Sequence, residues 1–296
     1  MTAIWRFESI TNPGRQHYVI EGDCRLPETW TSIPSVNGVF TSPPYANRRQ
    51  DVYGAVEPAG YGTWFRPVQR LIGESLVGDG SFFLNIKSHS EGGKRSLYVM
   101  PLVLSLVRGG WDYIDELCWL RPGMPGRYVN KFKNGFEPIY HFAKTTRVRF
   151  RPENVLLGGQ CSRVALNQYA LPYTPGRDVG MGKHGINPGR NVRRPDGQAL
   201  PSNVIRSLTG AHNRDQAGIP YGATFPVSLA EFFVRAYSDP GDTWLDPFCG
   251  TGTLIQAAER AGRIGYGIEL NPAGIAATVS RLNRAGLKGE LCPSPT

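Results

Sequence analysis

Asp246-Pro247-Phe248-Cys249-Gly250-Thr251-Gly252-Thr253 lies between a short apolar stretch, Thr243 to Leu245, and an amphipathic one, Leu254 to Ala261. Strand, glycine-rich turn and helix in that order form a ligand-binding corner. Gly250 and Gly252 let the backbone turn tightly and approach a ligand closely, at a helix N-terminus that favours anionic groups. About 20 residues beyond the turn, Glu269 ends a further strand, Ile264 to Ile268, where a carboxylate can take both hydroxyls of a ribose. A dinucleotide site has the same outline, and isolated G-x-G turns are often structural. Two residues oppose the dinucleotide. The third glycine of G-x-G-x-x-G/A is absent, with Ile255 in its place. Asp246 would also aim a carboxylate where a pyrophosphate must sit, whereas a carboxylate there suits an ammonium, such as the amino group of a methionine moiety.

The second informative stretch is Ser42-Pro43-Pro44-Tyr45, at the carboxyl end of a strand running from Ser35 to Phe40. Two consecutive prolines donate no backbone hydrogen bonds, so the chain leaves the sheet with its carbonyls turned outward. Ser42 Oγ and the Pro43 carbonyl then form a small cluster of acceptors, with the Tyr45 ring beside them as a stacking face. An aromatic amine such as cytosine N4 is a poor nucleophile because its lone pair is delocalised into the ring. Two acceptors gripping its hydrogens favour the pyramidal form and localise that pair for in-line attack on a sulfonium methyl group. A proline-rich turn with no chemistry is the alternative for the tetrapeptide taken alone.

Strand and helix readings alternate around these two stretches. Val19 to Cys24 reads as a strand. Trp64, Val68, Leu71, Ile72 and Leu76 recur at helical spacing, closed by Gly78-Asp79-Gly80. Ser81 to Ile86 is a compact strand, Tyr98 to Val107 a helix, and Tyr113 to Leu120 and Pro138 to Phe142 are strands. Helices follow at Pro226 to Tyr237 and Ala273 to Ala285. The alternation predicts an α/β fold with a largely parallel sheet covered on both faces. From Arg151 to Gln216 no period holds, and the segment reads as an irregular inserted recognition region.

The 296 residues carry a formal net charge of +9, with 40% hydrophobic and 19% charged residues, within the range of a soluble globular protein. Arg121 to Gln216 holds 16 Lys and Arg against 5 Asp and Glu, so all the excess positive charge falls in that one segment. Such segregation favours a polyanionic partner, nucleic acid above all. No apolar stretch is long enough to span a bilayer and the N-terminus has no signal-like core, which predicts a cytoplasmic protein without membrane partners. Five scattered cysteines without C-x-x-C, and histidines without ligand spacing, predict neither a disulfide framework nor a metal site. Cys249 reads as a small apolar residue of the turn, and His141 as a strand histidine. No Pro-Cys pair is present to supply the nucleophile that methylation at carbon 5 of a pyrimidine needs.

Thr41-Ser42-Pro43-Pro44-Tyr45 followed much later by the Asp246 to Thr253 stretch resembles the β-class DNA amino-methyltransferases, in which the catalytic half precedes the cofactor half. Further stretches share the resemblance in the family's order: Tyr61-Gly62-Thr63-Trp64, Cys118-Trp119-Leu120-Arg121-Pro122, Asn134-Gly135-Phe136-Glu137-Pro138, His141-Phe142-Ala143-Lys144 and Phe225-Pro226. The resemblance implies a Rossmann-like S-adenosylmethionine-dependent methyltransferase fold with circularly permuted motif order. It divides the chain into a catalytic half (1–150), a target-recognition insert (151–216) and a cofactor half (217–296). Ser42, Pro43, Pro44 and Tyr45 would then hold a flipped target base, since an amino group inside a duplex is base-paired. Asp246 would hold the methionine amino group and Glu269 the ribose. Phe248, Gly250, Gly252 and Thr253 would line the S-adenosyl-L-methionine pocket, Phe225 and Pro226 would close over the methionine part, and Asp23 would accept from the adenine amino group. Arg48, Arg49, Arg193 and Arg194 would face DNA, with solvated loop arginines as the alternative. Ser42 in the catalytic motif associates with cytosine N4 as target. Adenine N6, a catalytically silent nucleic-acid-binding relative and a nicotinamide-dependent oxidoreductase are the competing readings. A cognate restriction endonuclease of a restriction-modification pair is a further expected partner, and the protein itself is read as a monomer or homodimer.

Overall fold

Consecutive residues of a strand point to opposite faces of a sheet. Val39-Phe40, Phe82-Phe83 and Trp244-Leu245 are adjacent pairs in which both members are fully buried, so their sheet must be covered on both sides. The computed structural model describes residues 3–47, 56–121, 129–155, 201–206 and 224–292 and shows this arrangement. Its strands are β1 (Ile4–Ser9), β2 (Gln16–Glu21), β3 (Val36–Thr41), β4 (Leu76–Asn85), β5 (Ser90–Glu91), β6 (Lys94–Arg95), β7 (Asp112–Leu120), β8 (Phe136–Ala143), β9 (Val204–Arg206), β10 (Thr243–Asp246), β11 (Ile264–Glu269) and β12 (Leu287–Cys292). The helices are α1 (Tyr61–Ser75), α2 (Val99–Arg108), α3 (Val227–Ala236), α4 (Thr253–Ala261) and α5 (Pro272–Arg284). Val39, Phe82 and Leu245 pack with α1 and α2 on one face. Phe40, Phe83 and Trp244 pack with α3 and α4 on the other.

Ten strands form one sheet in the order β12-β1-β2-β11-β10-β3-β4-β8-β7-β9, and β5 and β6 form a separate hairpin. From β2 to β4 all neighbours are parallel. β8 is antiparallel to both its neighbours, and β1 to both of its own. The centre is therefore parallel as expected, while the flanks are mixed. β10 leads to β11 on one side, and β3 leads to β4 on the other. The strand order reverses between β10 and β3, where open α/β sheets place their ligands. Gly38 makes that junction close, since a Cβ there would stand 2.6 Å from the Trp244 ring.

Most elements match the sequence reading within a few residues, and the departures have physical causes. Gly78-Asp79-Gly80 does not close the first helix. Strand β4 begins at Leu76, directly after α1, and the Gly-Asp-Gly run lies inside it. The β3–β4 register shifts there, and a Cβ on Gly80 would stand 2.8 Å from the Asn37 carbonyl. The glycine permits close backbone approach at a bulge. β1 and β12 pair with each other along the full length of both, across almost the whole chain, and neither carries an alternation strong enough to read alone. Within the segment read as irregular, Val204–Arg206 adds a parallel strand to β7, and Pro152–Val155 forms a 3-10 turn. Among the described residues there is no disulfide, no cluster suited to a metal ion, and no helix long and apolar enough to cross a membrane.

A buried polar knot ties α4 to β1 and β2. The Glu259 carboxylate takes hydrogen bonds from Ser9 (2.5 Å) and Arg15 (3.0 Å) and lies 3.1 Å from His17 Nε2. Burial works to raise the Glu259 carboxyl, but these partners outweigh it and pull it down to about 2. A depressed folded pKa stabilises above the unfolded value of about 4.3, and that stabilisation is lost as pH falls toward the folded one. Glu259→Gln is therefore expected to lower the thermal midpoint at pH 7. The gap from wild type should close as the pH approaches 2, which thermal denaturation followed by circular dichroism would record. A gap independent of pH would contradict this account.

Candidate active site

The β10–α4 turn places its groups through backbone geometry that only glycine tolerates well. Gly250 and Gly252 have φ of 57° and 73°, and a Cβ on Gly252 would meet Thr278 at 2.7 Å. Cys249 packs its sulfur against the bare Cα of Gly267, consistent with a small apolar filler. Asp246 ends β10 and is 1% exposed. Its Oδ1 accepts from Thr41 Oγ1 at 2.6 Å and from the Phe248 amide at 3.0 Å. Burial pushes its carboxyl up to about 7, against the pull of those two donors. Glu269 ends β11, 2% exposed, and accepts from the amides of Gly250 (2.7 Å) and Asn271 (2.8 Å). Burial raises it to about 7 as well.

Two buried carboxyls thus stand at neighbouring strand ends, and among the described residues neither has a cationic partner. Such groups are costly unless a ligand supplies the missing charge. Thr253 Oγ1, at the head of α4, is buried with no hydrogen-bond partner among the described residues. A cleft opens beside them, lined by Asp23, Pro44, Trp64, Phe248, Glu269 and Leu270 among others. Phe248 packs between Trp64 (5.7 Å) and Phe65 (6.2 Å), giving the cleft an aromatic wall. Asp23 borders it with its carboxylate held by Arg25, whose backbone amide donates at 2.9 Å and whose Nε lies 3.0 Å from both oxygens. Phe225 and Pro226 do not line this cleft. Phe225 packs edge-on to Phe40 at 4.8 Å on the opposite face, and Pro226 caps α3.

The other half of the site lies at the end of β3. Ser42 and Tyr45 are half-buried, Pro43 is buried, and the Pro44 carbonyl accepts from Tyr61 Oη at 2.7 Å. Tyr45 Oη donates to Glu137 Oε2 at 3.0 Å. Burial and the neighbouring Glu137 hold the phenol far above its ordinary range. Glu137, 2% exposed on β8, is ion-paired with Lys87 and Arg121. Burial opposes ionisation of Glu137, but the two cations outweigh it and keep the carboxyl below its ordinary value. Tyr45 is therefore hydrogen-bonded to an ionised Glu137. The Ser42 hydroxyl has lone pairs with which it can accept from a ligand.

A family model described as DNA methylase, covering N6 and N4 amino-methyltransferases, matches residues 36–279. The chain belongs to that DNA methylase family. Among relatives of this methylase, the type II methyltransferase M.PvuII of Proteus hauseri is 26% identical over 270 residues, spanning 83% of this chain and 78% of the relative. M.XycI of Xanthomonas campestris pv. cyanopsidis is 25% identical over 89% of this chain and 87% of its own length. The solved PvuII DNA methyltransferase, described as cytosine-N4-specific, superposes with a TM-score of 0.66 at 23% identity, over 89% of this chain and 85% of that one. A DNA modification methylase of Thermus thermophilus, solved in complex with S-adenosyl-L-methionine, gives 0.58 at 23% identity, over 90% and 93% of the two chains. These likenesses bear out the Rossmann-like methyltransferase fold.

The methylase thus brings together Thr41 to Tyr45, Asp246 to Thr253 and Glu269, with Asp23 at the rim. Arg48, Arg49, Arg193 and Arg194 lie outside the described residues. Glu137, Lys87, Thr41 and Trp64 were not singled out as site residues from sequence. Only the Asn134 to Pro138 and Tyr61 to Trp64 stretches of the family resemblance gave a signal for any of them, and Thr41 had only its place before Ser42.

Proposed function

We propose that this methylase transfers a methyl group from S-adenosyl-L-methionine to the exocyclic N4 amino group of cytosine in DNA, on a base turned out of the duplex. The observation that carries the reading is the placement of Ser42, half-buried at the end of β3 beside the Tyr45–Glu137 hydrogen bond and next to the strand end where Thr41 meets the buried Asp246. When bound, S-adenosyl-L-methionine supplies an electrophilic methyl group on a sulfonium. Asp246 binds the ammonium of its methionine part, Glu269 the ribose, and Thr253 Oγ1 gains the partner it lacks. Phe248 and Trp64 flank the adenine, and Asp23 stands at its rim. Ser42 and the Pro43 carbonyl accept from the amine hydrogens, which localises the nitrogen lone pair as the carbon–nitrogen bond forms and the carbon–sulfur bond breaks. The amine proton then leaves to solvent. Phe225 packs on Phe40 of β3, and with Pro226 it closes over the methionine part. Cytosine is supported by Ser42 and by the likeness to the PvuII enzyme; the family as a whole includes adenine N6 as an alternative target.

Mass spectrometry of nucleosides from plasmid DNA incubated with the protein and S-adenosyl-L-methionine tests the reading. N4-methylcytosine is expected. N6-methyladenine as the sole product would move the target to adenine, and cofactor binding without any methylated nucleoside would favour a silent DNA-binding relative.

A further inference from the structure

Phe132 is 96% exposed and Val129 is fully exposed, in a loop whose neighbours in sequence are cations. The described part of this loop, 129–135, leads from β7 into β8 at the end of the sheet that carries the catalytic residues. Phe132 stands five residues before Glu137, the residue that takes the Tyr45 hydroxyl. Lys131 and Lys133 flank it, and Lys133 is exposed. The loop is propped rather than loose. Asn130 Nδ2 donates to the Gly93 carbonyl at 3.1 Å, Arg95 to Asn134 Oδ1 at 2.6 Å, and Lys131 Nζ to Ser90 Oγ at 2.6 Å. All three props come from the β5–β6 hairpin, whose Lys94 and Arg95 are exposed as well. A pedestal built this way holds a large apolar ring in water, with Lys131 and Lys133 beside it in sequence. It stands at the end of the sheet where β3 gives way to Ser42 and where Glu137 lies near the start of β8.

We propose that Phe132 is an intercalating wedge: it enters the duplex stack where the target base has left, while Lys133 and the hairpin cations hold the flanking phosphates. The inference rests on the methyltransferase reading above and adds the element that opens the duplex. The amino group to be methylated is paired inside the helix, so the base must unpair and unstack before it reaches Ser42. Apolar side chains inserted between base steps replace lost stacking, and cations alongside neutralise the backbone. Neither Tyr45, tied to Glu137, nor the buried cofactor turn can reach out to do this.

The test uses the full-length protein, tritiated S-adenosyl-L-methionine and oligonucleotide duplexes carrying a site mapped in methylated plasmid DNA. Phe132→Ala should slow methylation of the fully paired duplex by at least about tenfold. The same variant should methylate within about twofold of wild type when the target base lies opposite an abasic position, because that base already lacks its pairing partner. Phe132→Leu should keep most of the duplex rate. Lys133→Gln should flatten the dependence of log affinity on log salt by roughly one unit. A Phe132→Ala rate near wild type on paired DNA would overturn the wedge. So would an equal loss on paired and abasic substrates, which is what a general disturbance of the loop would give. Wild-type protein that methylates no DNA would instead defeat the parent reading and this inference with it.

Discussion

Ser42→Ala is expected to leave a folded protein that binds S-adenosyl-L-methionine and DNA but transfers methyl groups about 10²–10³-fold more slowly, the loss typical of one contact aimed at a developing charge. Ser42 sits half-buried where β3 ends. Its lone pairs meet the amine only when the flipped base is in place, and the contact strengthens as the nitrogen becomes pyramidal and acidic. An interaction of that kind lowers the barrier more than it tightens binding. Single-turnover rates with tritiated cofactor, beside calorimetric titration of cofactor and DNA, separate the two. Tyr45→Phe should show a smaller rate loss, since the ring remains while only the hydroxyl bonded to Glu137 is gone. Equal rates for Ser42→Ala and wild type would remove Ser42 from the chemistry.

Asp246→Asn is expected to weaken S-adenosyl-L-methionine binding by about 10- to 150-fold, the cost of about 1.5–3 kcal/mol for a hydrogen bond to a charged group. The amide keeps the oxygen that Thr41 and the Phe248 amide address, so the turn stays in place. The same change should raise the thermal midpoint of the cofactor-free protein at pH 8. The Asp246 carboxyl is raised to about 7 by burial, above its unfolded value of about 3.9. Ionising it in the folded state therefore costs stability, a cost that grows from about pH 4 to 7 and persists above. Asparagine removes that cost. In the wild type, cofactor binding should tighten as pH rises toward 7, because Asp246 and Glu269 both become anionic for the incoming cation. Stability and binding that fall together in Asp246→Asn would mean the residue is structural rather than a cation site.

Both predictions draw on residues that stand out in the linear chain. Two prolines after Ser42 remove hydrogen-bond donors whatever surrounds them, and Gly250 and Gly252 permit positive φ in any fold. The helices and central strands were equally legible, because a period of apolar residues records which face is buried without naming the partner. The partners themselves were set only in three dimensions. Thr41 meets Asp246 across 205 positions and Tyr45 meets Glu137 across 92, contacts that exist because β3 lies beside β10 and β8 beside β4. Nothing local in a strand specifies its neighbour when both faces of the sheet are apolar. For the same reason β1 and β12 are recognisable only from their pairing at the sheet edge, and the run at Gly80 reads as a helix stop until the Asn37 carbonyl is placed against it. Sequence alone singled out Ser42 to Tyr45 and Asp246 to Thr253, because the properties of these groups belong to single residues and short turns. The tertiary structure decided that Tyr45 meets an ionised Glu137 and that Asp246 and Glu269 are buried without a cationic partner among the described residues, because burial and pairing are properties of neighbours far apart in the chain.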